Sequence, residues 1–181
     1  MQSNLIVIDD FYSNPHEVRD HALSQDFHVE GNYPGKRTNS FLSSEIKKAI
    51  QYYLPELVKD WNDYDTTSYS GAYQICTSRE RTWIHTDSYN NWAGVLYLTP
   101  DAPVSGGTAF YKHRASNDVY TVEGDHGYDS QDYTKWEQVD FVGNVFNRLV
   151  LFNSKRYHAS VDYFGKDLND GRLIQVFFLS T

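Results

Sequence analysis

With 181 residues, 40% of them apolar and 16% aromatic, the chain is expected to form one folded unit with a filled core. A formal charge of −8 and a pI near 5.2 argue against nonspecific binding to nucleic acid or to anionic membranes. The single Cys76 excludes an intrachain disulfide framework and a cysteine-based zinc site.

The N-terminus "MQSNLIVIDD" lacks a basic region followed by an apolar signal segment. The longest apolar runs, 149–152 and 176–179, are strand-sized and too short for a bilayer. A cytoplasmic protein with no membrane or nucleic-acid partner is the expectation. Residues 4–11 read as a strand. "SNPHEVRDHALSQ" reads as a helix, with Asn14 as N-cap and Pro15 at the first helical position. "EGNYPGKRTNS" (30–40) reads as a loop, in which Lys36 and Arg37 form a basic pair on a solvated turn. If that loop covered an active site, an acidic or phosphorylated substrate would suit it. "SEIKKAIQYYLPEL" reads as a second helix, with Ile46, Ile50, Tyr53 and Leu57 at helical spacing.

Beyond Trp61, short strand-like runs alternate with turns: "TSYSGAYQICTS", "TWIHTD", "AGVLYLT", "GGTAFYKH", "KWEQVDFV", "NRLVLFNS", "HASVDYF" and "RLIQVFFLS". This pattern predicts a β-sandwich or barrel of jelly-roll type, with the N-terminal helices packed outside it. The expected organisation is one domain over 1–181, with strand and helices in 1–60 and the jelly-roll core in 61–181. An irregular insert is expected at about 112–147.

His85 and Asp87 form a His-x-Asp. With 7 His and 17 Asp in the chain, chance alone would place roughly half of one such tripeptide. In an extended segment both side chains point to one face. Two imidazoles and one carboxylate make a facial triad for iron(II) with open positions opposite. His158, after the strongest strand, is the best second imidazole. His28 with Glu30 is a rival, placed between a helix and a loop; His113 and His126 read as surface residues. Arg172 opens the apolar strand 172–180. A buried guanidinium needs a counter-charge, supplied either by a nearby Asp167 or Asp170 or by a carboxylate-bearing ligand.

The order of His85-x-Asp87, "GVLYLT", "GGTAFY", "NRLVLFNSKRYHAS" and Arg172 resembles the Fe(II)- and 2-oxoglutarate-dependent dioxygenases, particularly the prolyl-hydroxylase-like branch. The resemblance spans roughly residue 68 to the C-terminus. It implies a double-stranded β-helix core that binds Fe(II) through His85, Asp87 and His158. Arg172 would pair with the distal carboxylate of 2-oxoglutarate, assisted by Tyr97, and Tyr73 would line the cosubstrate pocket. Gly106 and Gly107 match the family's Gly-Gly turn. The implied activity is hydroxylation of a C–H bond in an amino-acid, peptide, protein or small-molecule substrate. It consumes O2, releases succinate and CO2, and takes ascorbate as a reductant. The presence of Asp87 disfavours a halogenase. The interval from His158 to Arg172 is longer than is usual in prolyl hydroxylases. Asn153 or Ser160 are candidates to orient the ligands, and Trp83, Tyr89, Asn90 and Asn91 to meet the substrate, with Trp92 a further aromatic neighbour. A non-catalytic jelly-roll binding module and a cupin-like metalloenzyme that does not use 2-oxoglutarate are the alternatives.

Overall fold

The computed structural model describes residues 3–64, 69–87, 89–121 and 126–181. Its first strand, β1 (Leu5–Ile8), leads into helix α1 (Pro15–Leu23). Pro15 starts that helix because its missing N–H falls where no intrahelical partner exists. The Asn14 amide donates to Glu17 and makes no cap bond to the backbone. Helix α2 (Ser44–Tyr53) is capped by Ser43, whose hydroxyl accepts from the Ile46 amide at 3.3 Å. It stops short of the predicted Leu57. Leu54 precedes Pro55, which disfavours helical geometry, and its backbone is already extended. Leu57 is exposed.

Between the helices, residues 36–40 form a strand, β2 (Lys36–Ser40), and not the loop expected. Gly35 permits this. At φ +73° its missing Cβ would lie 1.9 Å from the Ile75 carbonyl oxygen, so only glycine lets the chain turn this close to its neighbour.

The remaining strands are β3 (Ala72–Cys76), β4 (Trp92–Tyr97), β5 (Thr108–His113), β6 (Trp136–Val142), β7 (Leu149–Asn153), β8 (His158–Ser160) and β9 (Arg172–Leu179). The run that begins at residues 67–68 was expected to be extended from its start; those two positions lie outside the described residues, and β3 begins at Ala72. Six strands make one antiparallel sheet in the order β1-β7-β4-β9-β3-β2, and three make a second in the order β6-β5-β8. Two facing antiparallel sheets with helices on one outer side are the predicted double-stranded β-helix. Among the described residues, no helix is long and apolar enough to cross a membrane.

Alternation along the strands divides the apolar residues into layers. Leu151, Leu173, Phe177 and Leu179 face α1 and α2 together with Ala22 and Ile50. A buried side chain of that size contributes about 1.5–3 kcal/mol. Val150, Phe152, Ile174 and Val176 point the other way and meet Phe110 between the sheets. A third cluster, with Ala109, Tyr111, Trp136 and Tyr157, covers the outer face of the small sheet.

The segment 112–147 is more ordered than predicted. It carries the end of β5, two single 3-10 turns at Gly127–Asp129 and Tyr133–Lys135, and β6; residues 122–125 within it lie outside the described set. His113 and His126 are not surface residues. Their rings stack at 3.9 Å, with Asp129 accepting from His113 at 3.1 Å and Asp118 from His126 at 2.8 Å. The β5–β6 hairpin folds the polar segment back over Trp136 and Tyr157, an enclosure that local polarity does not reveal.

Candidate metal centre

His85 and Asp87 lie on an extended segment outside the named strands. Antiparallel bridging binds His85 to the edge of the small sheet: the His85 amide donates to the His158 carbonyl at 3.0 Å and the reverse bond is 2.9 Å. Two residues on, the Asp87 amide donates to the Ser154 carbonyl at 2.8 Å. The Ser154 hydroxyl in turn donates to the Asn90 carbonyl. The chain around His85 and Asp87 is thus pinned to the turn between β7 and β8, and β8 begins with His158.

The donor atoms of His85, Asp87 and His158 all lie within 4.8 Å of one another. His158 Nε2 is 3.4 Å from one Asp87 carboxylate oxygen, and His85 Nε2 is 3.9 Å from the other. Each imidazole has its Nδ1 against the carbonyl two residues before it: Trp83 at 3.0 Å for His85 and Arg156 at 2.8 Å for His158. A carbonyl only accepts, so the proton sits on Nδ1 and the Nε2 lone pair faces the cluster. These two carbonyls do what Asn153 and Ser160 were expected to do. Asn153 instead accepts from the Lys155 amide within its own turn. Ser160 lines the cavity, and among the described residues it makes no hydrogen bond to either imidazole.

Electrostatics keep the set ready for a cation. Burial and the neighbouring His158 push the His85 imidazole below its ordinary value. Burial pushes Asp87 upward, but His158, His85 and Arg37 outweigh it and hold the carboxyl below the usual range. A neutral His85 imidazole and an ionised Asp87 carboxylate are the protonation states a divalent metal requires of them.

The cluster opens into a cavity of about 690 Å³ between the two sheets. Ile174 and Val176 of β9, Ala93 and Val95 of β4 and Thr108 of β5 form its inner walls. Arg172 and Tyr97 lie one step further along these faces. Arg172 shares the parity of Ile174, and Tyr97 shares that of Val95 and bonds Thr108 Oγ1 at 2.8 Å. Both are fully buried. Arg172 donates Nε to the Gly106 carbonyl at 2.9 Å and Nη2 to the Gly107 carbonyl at 3.4 Å. Its guanidinium lies 5.4 Å from the Tyr97 ring and 5.8 Å from that of Tyr163. Among the described residues, no hydrogen-bond partner meets Arg172 Nη1, and neither Asp167 nor Asp170 pairs with it. A buried guanidinium with one donor unsatisfied suits a carboxylate ligand.

Tyr73 is elsewhere. It alternates with Gln74 and points to the helices, where it stacks on Phe41 and its hydroxyl lies 3.4 Å from His21 Nδ1. The residue of β3 that reaches the cavity is Gln74. Tyrosine chemistry suggested the pocket; strand parity places the side chain in the helix interface. Trp92 is likewise core. Trp83, Tyr89 and Asn90 line the cavity mouth, whereas Asn91 bonds the Thr181 side chain and backbone. His28 sits on the surface beside Asp26, remote in contacts from the cluster. The sequence places Arg37 with Lys36 on a solvated turn, whereas the structure buries Arg37 to 6% exposure in the cavity wall. The alternation of "KRTNS", in which Arg37 and Asn39 share a face, is the local signal for that inward placement.

The two-sheet fold, with the His/Asp/His cluster between its sheets, is similar to that of solved 2-oxoglutarate-dependent enzymes. The chain is similar in fold to HygX from Streptomyces hygroscopicus, solved with nickel, 2-oxoglutarate and hygromycin B bound. The match has a TM-score of 0.62 at 11% identity and covers 97% of this chain and 82% of that one. It is also similar to the α-ketoglutarate-dependent epimerase SnoN from nogalamycin biosynthesis, with a TM-score of 0.61 at 11% identity, covering 98% of this chain and 79% of SnoN. A prolyl hydroxylase from Trichoplax adhaerens, solved with a hypoxia-inducible-factor peptide, matches at a TM-score of 0.53 and 14% identity, covering 97% and 83%. No curated protein matches the sequence. Residues 1–126 match the family described as "Family of unknown function (DUF6445)", and the chain belongs to that family.

Proposed function

We propose that this protein is a mononuclear Fe(II)- and 2-oxoglutarate-dependent oxygenase, acting as a hydroxylase on a small-molecule, amino-acid or peptide C–H bond. One observation carries the reading. A cluster of two imidazoles and one carboxylate lines the inter-sheet cavity, and a buried guanidinium with an unpartnered nitrogen, that of Arg172, lies beyond Ile174 on the same face of β9.

His85, Asp87 and His158 would hold the metal, and Arg172, set by the Gly106 and Gly107 carbonyls, would anchor the distal carboxylate of 2-oxoglutarate. Tyr97 and Thr108 close the end of that site with a shared hydrogen bond. Iron and 2-oxoglutarate together would supply the oxidising power, with succinate and CO2 as coproducts. The chain's own contribution is positioning. Two carbonyls fix the imidazole tautomers, the inter-sheet apolar residues limit water, and the open mouth admits substrate.

Anaerobic addition of Fe(II) and then 2-oxoglutarate should produce a weak visible metal-to-ligand charge-transfer band, and admission of O2 should yield succinate. Iron binding without either signal would mark a metal centre that does not use 2-oxoglutarate. Failure to bind iron would leave a binding module.

A further inference from the structure

We propose that Arg37 anchors a carboxylate group of the primary substrate. In naming the ligand a substrate, this rests on the oxygenase reading above.

Arg37 lies on edge strand β2 and pairs in register with Gln74. The Gln74 side chain accepts from Arg37 Nε at 2.7 Å, which orients the guanidinium plane. The guanidinium carbon stands 3.7 Å from the Tyr33 ring centroid, with Tyr69 at 5.2 Å and Phe178 at 5.6 Å. Among the described residues, no carboxylate comes within ion-pair distance of it, and neither terminal nitrogen donates a hydrogen bond. Burial pushes its pKa down to about 10, so it remains a cation at neutral pH.

A buried cation held only by a neutral amide and aromatic faces is costly unless an anion completes it. Asp87 is near enough to interact electrostatically, but its oxygens face the two imidazoles. Engagement of Asp87 with a metal would leave Arg37 with still less compensating charge. The two free nitrogens form the fork that a carboxylate matches bidentately. One guanidinium balances one negative charge, so a carboxylate fits better than a phosphate dianion.

Arg37 also stands apart from the cosubstrate anchor. β3 lies between β2 and β9, so Arg37 and Arg172 are two strand spacings apart, roughly 10 Å laterally. Arg37 lines the cavity itself, whereas Arg172 is buried beyond its inner wall. The rings of Tyr33, Tyr69 and Phe178 beside Arg37 suit a substrate with an apolar or flat body next to its carboxylate.

The test uses calorimetric titration of the Fe(II)- and 2-oxoglutarate-saturated protein without O2. The probes are benzoate and N-acetyl-L-tyrosine, each against its uncharged amide, with phenyl phosphate as the other anion. The acids should bind, and the amides should bind roughly 10- to 100-fold more weakly. Arg37→Gln should erase that difference while the 2-oxoglutarate charge-transfer band persists. Arg37→Lys should retain part of it, and covers the case in which the glutamine variant does not fold. Equal binding of acid and amide, no binding of either acid, or an acid preference that survives in Arg37→Gln would overturn the proposal. Tighter binding of phenyl phosphate than of both carboxylates would overturn the assignment of ligand class. An Arg37-dependent acid preference in a wild-type protein that shows no charge-transfer band would instead refute the oxygenase reading and leave Arg37 as an anion site.

Discussion

His85 and His158 exchange both backbone hydrogen bonds, at 3.0 and 2.9 Å, and their rings stand 4.5 Å apart between centroids. The pairing sets the distance between two candidate metal ligands through the backbone alone. Only Asp87 is then needed to complete the set, and its own amide is fixed by Ser154.

The first consequence concerns the metal. Asp87→Ala should leave the His85–His158 pairing and the fold intact while lowering Fe(II) affinity by at least the ~10–100-fold typical of losing a supporting contact around a metal ligand. Metal titration followed by far-ultraviolet circular dichroism separates loss of binding from loss of structure.

Arg172→Ala should abolish the rise in Tm that 2-oxoglutarate gives the Fe(II) protein. In the wild type, ligand at 100 times its Kd adds about 2.7 kcal/mol. The variant also leaves the Gly106 and Gly107 carbonyls without their donor. Each unsatisfied buried group costs about 1–3 kcal/mol, so the apo variant should melt earlier as well. Unchanged stabilisation by 2-oxoglutarate would show that the cosubstrate's carboxylate lies elsewhere.

The His/Asp/His cluster gives the metal-free protein a pH dependence of known sign. Folded His85 titrates below its ordinary 6.5, so the unfolded chain binds the proton first. Its contribution to stability is complete above about that value and declines as pH falls through the folded pKa. Melting temperature should therefore drop on acidification in this window, and the slope should shrink in His85→Gln.

Gly35→Ala should damage the cavity from outside it. The added Cβ would collide with the Ile75 carbonyl and the φ of +73° disfavours alanine, so stability should fall by more than the ~1 kcal/mol of an ordinary glycine effect. Because Gly35 sets the start of β2, the preference of the protein for carboxylates at Arg37 should weaken with it.

Cys76 is fully buried, and burial pushes its thiol above the ordinary value. It should resist a thiol reagent such as dithionitrobenzoate in the native state and react with one equivalent once the chain is unfolded in guanidinium.

Much of this was legible along the chain because it depends on local periodicity. Strand alternation marked eight of the nine strands among the described residues, Pro15 marked the start of α1, and the order of His85, Asp87, His158 and Arg172 suggested one site. Helix α2 ended early because Pro55 acts on the residue before it, a local rule overridden in the reading by the longer apolar spacing to Leu57. Other features were not local. "KRTNS" has no apolar alternation, and it becomes a strand because Gly35 lets it pair with β3.

Residue types and their order thus determined which chemistry this protein could hold: two imidazoles, a carboxylate and a late arginine in a β-rich chain. Which side chains share the cavity was decided by tertiary structure. Parity put Gln74 in the cavity and Tyr73 against the helices, the β5–β6 hairpin enclosed His113 and His126, and edge pairing turned Arg37 inward. The physical reason is that a strand gives each residue one of two faces, and only the partner strand and the layer packed on each face settle which one becomes the site.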